Sequence, residues 1–238
     1  MEKLLMDTII DLNNRFSDSS PQQVIEYFLA NYKGKIALAS SMSIEDQVLT
    51  DMIVKQNNST KIFTLDTGRL PYETYNLIDR TNEIYNIKID VYFPESKQLE
   101  EMVKNKGINL FYNSVEERKL CCSVRKLEPL KRALTGLDVW ICGLRREQSV
   151  TRENIGVVEY DSNNRMIKLN PLFNWTENDV WAYIHKHNVI YNTLYKNNYL
   201  SIGCAPCTRP VAEGGDIRSG RWWWENPETK ECGLHIKQ

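Results

Sequence analysis

Cysteine carries most of the candidate chemistry in this chain, and its six copies are unevenly placed. Cys204 and Cys207 form a C-x-x-C pair, Cys121 and Cys122 are adjacent, Cys142 lies in an apolar stretch, and Cys232 stands apart on a polar stretch near the C-terminal end. Cys121, Cys122, Cys204 and Cys207 supply four thiolates, enough for zinc or an iron–sulfur cluster. The adjacent pair could instead be a vicinal disulfide or two buried spectators. Zinc sites draw on two C-x-x-C-like knuckles, whose spacer turns both sulfurs towards one ion. Neighbouring sulfurs fit that geometry poorly and suit a cluster with separate iron corners better. Cys142 reads as a small buried hydrophobe. Cys232 lies outside these sets. A thiolate is the reactive form of cysteine, and nearby cations favour it. Arg218, Arg221, Lys230 and His235 all lie within about fifteen residues of Cys232. It is therefore a candidate nucleophile, the alternative being a stray tail cysteine.

Cations and hydroxyls cluster at three polar turns. Ser40-Ser41-Met42-Ser43 opens a helix at about Ile44; its hydroxyls and unpaired backbone N–H groups suit a phosphate or a nucleotide, although serine also serves as an ordinary N-cap. Leu65-Asp66-Thr67-Gly68-Arg69 combines a glycine that permits a sharp turn with a guanidinium that offers a planar fork to an anion. Gly143-Leu144-Arg145-Arg146-Glu147-Gln148-Ser149 places two arginines after an apolar strand, a pairing suited to bidentate phosphate or sulfate recognition. Lys126 falls one helical turn after Cys122, so its ammonium is a candidate neighbour of whatever the cysteines bind. His185 and His187 point to different faces of a helix and read as surface or core residues rather than metal ligands.

The elements that position these groups alternate. Lys35 to Ser40, Lys61 to Asp66, Ile87 to Phe93, Val139 to Gly143 and Met166 to Leu172 read as apolar strands. Helical patterns lie near Glu45–Val54, Tyr72–Tyr85 and Cys122–Leu134, with a further start at Thr176-Glu177-Asn178-Asp179. Ser20-Pro21-Gln22-Gln23 reads as a capping box with proline at the first helical position. Alternation implies an α/β fold, a twisted, mainly parallel sheet flanked by helices, with ligands beyond the carboxyl ends of the strands. The expected division is an α/β domain over 1–207 that carries the nucleotide and metal candidates, and a mobile C-terminal tail or lid over 208–238 that carries the reactive cysteine. The 238 residues carry a net charge of −1, which gives no global attraction to nucleic acid or anionic membrane. No apolar run reaches the roughly 20 residues of a membrane span. Glu2, Lys3, Asp7 and Asp11 break any signal-peptide core. A cytoplasmic protein is expected, where cysteines serve more often as metal ligands or redox catalysts than as disulfides.

Seven stretches together resemble the assimilatory sulfonucleotide reductases, closest to the iron–sulfur adenylyl-sulfate (APS) reductases, with the phosphoadenylyl-sulfate (PAPS) enzymes as relatives. They are Leu-Asp-Thr-Gly-Arg at 65–69, Cys-Cys-Ser-Val-Arg-Lys at 121–126, Gly-Leu-Arg-Arg-Glu-Gln-Ser at 143–149, Asn-Pro-Leu at 170–172, Ser-Ile-Gly-Cys-Ala-Pro-Cys-Thr-Arg-Pro at 201–210, Gly-Arg-Trp-Trp-Trp-Glu at 220–225 and Glu-Cys-Gly-Leu-His at 231–235. The resemblance implies a fold like that of adenine-nucleotide α-hydrolases. It implies one 4Fe–4S cluster on Cys121, Cys122, Cys204 and Cys207, which positions residues and tunes the local field without delivering electrons. It also implies that Cys232 attacks the sulfur of APS to give a thiosulfonate, and that thioredoxin or a similar dithiol then releases sulfite. On this basis Arg145, Arg146, Arg218 and Arg221 are candidates to shield the phosphosulfate, Lys126 to bridge cluster and substrate, and Ser40, Ser41, Leu65, Gly68 and Arg69 to hold the nucleotide. His235 is a candidate to orient the thiol. The chain departs from the family pattern at Ser43, where glycine is common, and at Gly215, where glutamate is often found. Rival readings are a reductase that accepts PAPS, a non-catalytic iron–sulfur or zinc electron carrier, and a nucleotide-activating relative; the last commonly carries a Ser-Gly-Gly turn that residues 40–46 lack.

Overall fold

The computed structural model describes residues 2–148 and 152–226. Six strands form one sheet in the order β3-β2-β1-β4-β6-β5. They are β1 (Ile36–Ala39), β2 (Lys61–Leu65), β3 (Asp90–Tyr92), β4 (Val139–Ile141), β5 (Val158–Asp161) and β6 (Met166–Leu169). β1 runs parallel to β2 and to β4, with Leu38 opposite Ile62 and Ile141. β4 runs parallel to β6, and β5 pairs antiparallel with β6. The expected mainly parallel sheet is present. The antiparallel β5 is an addition that its polar sequence did not reveal, and β3 is shorter than the apolar stretch around it. Ile36, Ala37, Leu38, Val139, Trp140, Ile141 and Leu169 are all buried, as strands covered on both faces require.

The chain divides into two compact units. The first comprises Met1–Phe63, Leu77–Asp90 and Gly136–Tyr191; the second comprises Thr64–Asn76, Val91–Thr135 and Asn192–Gln238.

In the first unit, α1 (Glu2–Phe16), α2 (Pro21–Asn31), α3 (Ile44–Gln56) and α8 (Glu177–His187) are the longer helices. α2 begins with the expected capping box, in which Ser20 accepts from the Gln23 backbone and Gln23 caps the Ser20 N–H in return. Thr176 and Asp179 form the same device at the start of α8. α3 is buried from Ile44 through Ile53 and therefore shows no amphipathic stripe. Most of its polar side chains find partners, as burial demands, although the Gln47 Oε1 is buried without one. Gln47 donates to Thr81, the Thr50 hydroxyl donates to the Asp46 carbonyl, and Asp51 accepts from Tyr183 at 2.7 Å and from Tyr85 at 3.1 Å.

The second unit is built around Met102, Leu110, Phe111, Cys121, Cys204, Cys207 and Trp222, with Leu99, Val103, Val124 and Trp224 packed at its margin. Its helices include α5 (Ser96–Lys106), α6 (Val115–Cys122) and α7 (Glu128–Leu134). Between α6 and α7, Ser123–Leu127 forms a π-helical turn in which the Glu128 N–H reaches back to the Ser123 carbonyl. The expected helix from Cys122 to Leu134 is thus longer and interrupted. Pro129 accounts for the interruption: it lacks an N–H and its ring crowds the carbonyl four residues earlier, which a wider turn relieves.

The expected boundary at 207/208 does not fall between the two units. Residues 208–225 pack within the second unit: Thr208 bridges Arg221, the Arg209 N–H donates to the Gly220 carbonyl at 3.0 Å, and the Trp222 N–H donates to the Cys207 carbonyl at 3.2 Å. Thr208, Val211, Gly220, Arg221 and Trp222 are buried in it, whereas 212–216 are exposed. Its aromatic run packs into that unit's core.

Candidate functional site

Four of the candidate cysteines come together. Cys121 and Cys122 from the end of α6, and Cys204 and Cys207 from a 3₁₀ turn (Ala205–Cys207), line one pocket. Arg69, Phe111, Arg118, Arg125, Lys126 and Pro206 complete its lining. Cys121, Cys204 and Cys207 are buried, Cys122 is half-buried, and all four are unbridged. As placed, no three His, Cys, Asp or Glu side chains among the described residues are grouped to hold a metal ion. The helix explains how adjacent cysteines can share a pocket. Arg125 and Lys126, in the π turn that follows, come four residues after Cys121 and Cys122, which keeps the four side chains on one side of the helix.

The pocket is cationic, and none of its lining residues is a carboxylate. Burial pushes the Cys207 thiol up to about 12, as does neighbouring Cys204; Arg221 and Lys126 oppose the shift. Burial raises Cys121 as well, with the Arg125 charge opposing it. Two buried guanidinium N–H groups, the Nε of Arg125 and of Arg221, have no hydrogen-bond partner. Cations lining the pocket, two buried guanidinium N–H groups left without a partner, and thiols that ionise only against a strong positive partner suit a buried group that takes thiolate ligands and is negative overall. Four sulfurs around a pocket, rather than around a point, match the donor set of a polynuclear iron–sulfur cluster.

The turn after β2 faces this pocket. The Thr67 hydroxyl lies 3.2 Å from the Cys204 sulfur, and the Thr67 carbonyl accepts from Arg125 at 2.5 Å. Arg69 donates to the Ile108 carbonyl at 2.6 Å and to Asn109 at 2.9 Å, with its guanidinium 5.0 Å from the Phe111 ring centroid. The fork expected for a nucleotide anion is thus engaged by the protein. Gly68 adopts φ +70°, the left-handed region its type permits, and its N–H donates to Asp66 at 2.7 Å. Tyr75 donates to the same carboxylate; burial, then that hydrogen bond, push its phenol up to about 12. Leu65 ends β2 and is half-buried.

The other two turns meet in the first unit. Ser43 caps α3, and its presence in place of the family's glycine is explained by that bond. The Ser41 N–H and hydroxyl both donate to Asp46 at 2.6 Å, Ser40 is buried, and the Ser40 hydroxyl accepts from the Met42 N–H. Burial raises Asp46 to about 6 despite the Ser41 bonds. Arg145 and Arg146 part company. Arg145 is 2% exposed and forks onto Glu45 at 3.0 Å, with Glu147 at 3.1 Å. Arg146 is exposed, stacks on Phe173 and lines an open cleft with Glu147, Glu153 and Trp175.

On the strap after the 3₁₀ turn, Arg221 is buried against the Trp222 ring, and the Arg218 N–H donates to Asp216 at 2.8 Å. Cys232 and His235 lie outside the described residues. Sequence reading passed over Arg118, Arg125, Thr67 and Glu225. Arg118 and Arg125 did carry a signal, since they flank the cysteine pair at three- and four-residue helical spacing. Glu225 carried none, because only the folded chain shows its partner.

Comparison with known proteins decides the family. Residues 35–210 match the phosphoadenosine phosphosulfate reductase domain. The chain belongs to this family. Among curated relatives of the reductase family, one named adenosine 5'-phosphosulfate reductase from Allochromatium vinosum is 52% identical, over 85% of this chain and 79% of its own length. One of the same name from Neisseria meningitidis serogroup B is 52% identical, over 83% of this chain and 80% of its own. A solved phosphoadenylyl-sulfate reductase from Candida auris superposes with a TM-score of 0.73 at 28% identity, covering 85% of this chain and 96% of that one. An NAD synthetase from Campylobacter jejuni matches with a TM-score of 0.52 at 10% identity, over 80% of this chain and 78% of that one, a likeness of fold alone. The fold of the reductase family is thus the adenine-nucleotide α-hydrolase type. The family's matched region contains the four pocket cysteines and Lys126.

Proposed function

We propose that the chain reduces adenosine 5'-phosphosulfate to sulfite and AMP, with a 4Fe–4S cluster held by Cys121, Cys122, Cys204 and Cys207. Family membership makes it an oxidoreductase of sulfonucleotides in sulfate assimilation. The observation that supports the iron–sulfur form is the four-cysteine pocket, lined by arginine and lysine and by no carboxylate. When bound, the cluster supplies a fixed charge distribution beside the substrate rather than electrons.

The reactive group in this reading is Cys232. Its thiolate attacks the sulfur of the phosphosulfate, a sulfur–sulfur bond forms, and the sulfur–oxygen bond breaks with its electron pair leaving on AMP. A thiolate of thioredoxin or a similar dithiol then attacks the Cys232 sulfur and releases sulfite. Its second thiol resolves the mixed disulfide, so the dithiol supplies both electrons. An anion approaching an anionic ester needs shielding by fixed cations. Lys126, Arg146, Arg218 and Arg221 are assigned that role. Arg145, committed to Glu45, acts by holding the turn that carries Arg146. Ser40, Ser41, Leu65 and Gly68 are assigned to the nucleotide through their turns, whereas Arg69 acts through its anchorage beside the cysteine pocket. His235 is assigned to orienting the thiol. No helix among the described residues is long and apolar enough to cross a membrane. A cytoplasmic location accords with reduced cysteines and a thioredoxin-like partner.

The test is sulfur-labelled APS added without reductant to anaerobically purified wild type and Cys232→Ser, with absorption near roughly 400 nm recorded. Brown protein labelled only in the wild type is expected. No label on either would overturn the mechanism and favour an electron carrier. Label on a colourless protein would overturn the cluster. Equal turnover of PAPS would assign the broader substrate range.

A further inference from the structure

Two side-chain turns follow one another after β2, and a tyrosine outside them holds the first. One oxygen of Asp66, Oδ1, accepts the Gly68 N–H at 2.7 Å, and the Thr67 hydroxyl accepts the Arg69 N–H at 3.2 Å. Each bond reaches two residues along the chain, the way aspartate and threonine fold a short turn onto their own side chains. The chain so shaped meets the C-x-x-C segment at two points. The Arg69 carbonyl accepts the Ala205 N–H at 2.8 Å, and Thr67 Oγ1 lies 3.2 Å from the Cys204 sulfur. A hydroxyl has one proton to give and two lone pairs. With the Arg69 N–H on a lone pair, the single proton of Thr67 is left for Cys204, and a sulfur in thiolate form can only accept it. Asp66 anchors the other end of this arrangement. Its N–H donates to the Tyr92 carbonyl at 2.9 Å. The same Oδ1 that caps Gly68 accepts the hydroxyl of Tyr75, from the first turn of α4 (Tyr72–Tyr85), at 2.8 Å. Asp66 is 6% exposed and Tyr75 is 37% exposed, so a surface phenol reaches in to a buried carboxyl.

We infer that Tyr75 is a positioning residue, which through Asp66 holds the turn that aims the Thr67 hydroxyl at Cys204. It acts through the turn rather than on the sulfur. For a bound cluster the inference rests on the reading proposed above. Groups that hydrogen-bond to a metal ligand fix its orientation, and their loss weakens metal retention about 10–100-fold. Removal of the phenol strips a donor from a buried carboxyl. The carboxyl then turns towards other donors, and the Gly68 and Thr67 backbone moves with it.

The experiment compares anaerobically purified wild type, Tyr75→Phe, Thr67→Val and the double variant. Two quantities are read: the first-order rate at which absorption near roughly 400 nm bleaches in excess iron chelator and oxidant, and the iron–sulfur stretching bands in resonance Raman spectra. Tyr75→Phe and Thr67→Val are each expected to stay brown, to bleach about tenfold faster than wild type, and to move the same band in the same direction. The double variant is expected to bleach no faster than Thr67→Val, because one route is cut twice. Bleaching of Tyr75→Phe at the wild-type rate would overturn the inference. So would a double variant whose rate is the product of the two single effects, since Tyr75 would then act independently of the hydroxyl. A colourless Tyr75→Phe beside a brown Thr67→Val would overturn it for the same reason. Should both emerge colourless, Thr67→Ser, which keeps the hydroxyl, decides: a brown protein bears the inference out, and a colourless one overturns it. If wild type itself is colourless, the cluster reading fails and the positioning is read without it. Iodoacetamide alkylation is then mapped at Cys204 and Cys207. Both single variants are expected to change the Cys204 rate by the same factor and to leave Cys207 at its own. An unchanged Cys204 rate in Tyr75→Phe, or an equal change at both cysteines, would overturn the inference.

Discussion

Asp46 shows what a single buried carboxyl costs and controls. Its acidity is weakened to about 6 chiefly by burial, although Ser41 holds it with two hydrogen bonds. A carboxyl whose folded value lies above its unfolded value of 3.8 binds its proton more tightly when folded. Its stabilising contribution is therefore complete below about pH 4 and lost as pH rises through about 6. The stability of wild type relative to Asp46→Asn is expected to fall across that window by at most about 1.4 kcal/mol per pH unit and to be flat above it. Urea unfolding of both proteins at several pH values checks this, and parallel curves would refute it. Cys142 gives a second expectation. It is 3% exposed, and burial raises its thiol far above the ordinary range. It should resist alkylation in the native protein and react only after denaturation, which peptide mapping before and after urea would show.

At the scale of elements, the turn after β4 and the start of α3 meet closely in the first unit. A Cβ added at Gly143 would meet Asp46 Oδ1 at 2.5 Å and Glu45 Cβ at 2.9 Å. Arg145, two residues on, clamps Glu45. Gly143→Ala is expected to cost about 1–3 kcal/mol through overpacking, and Arg145→Met about 3–5 kcal/mol by stranding Glu45. Denaturant midpoints measure both, and a change within about 0.5 kcal/mol in either would show that the junction yields. The strands and helices here were legible because their signals are local: an apolar run between breakers, or a serine three residues before a glutamine. Arg145 was read as an anion ligand because sequence shows a charge but not the Glu45 that neutralises it. The π turn after Cys122 was illegible for a related reason. Pro129 marks a break in the helix, but whether the chain kinks, stops or widens there depends on what α6 and α7 pack against. The same holds for the strap at 208–225, whose glycines and charges read as a tail until Trp222 is seen filling the core.

At the scale of the whole molecule, the two units draw on different sources of stability. The first has a sheet core of aliphatic strands, whereas the core of the second includes Cys121, Cys204 and Cys207. A ligand that binds those thiols stabilises the unit they belong to by mass action. Removal of the proposed cluster with a chelator and oxidant is therefore expected to lower hydrogen-exchange protection in 110–134 and 204–222, and to leave 36–53 and 139–142 little changed. A uniform loss across both would refute that division. The pocket also has a history set by the order of translation. Cys204 follows Cys122 by about eighty residues, so at roughly 5–20 residues per second the first two sulfurs leave the ribosome some 4–16 s before the other pair exists. Trp222, which packs in the same core, comes later still. Before Cys204 and Cys207 emerge, the nascent chain offers only two of the four pocket sulfurs, those of Cys121 and Cys122. If the four thiols hold a cluster, as proposed, its ligand set is complete only once Cys207 has emerged, near the end of synthesis.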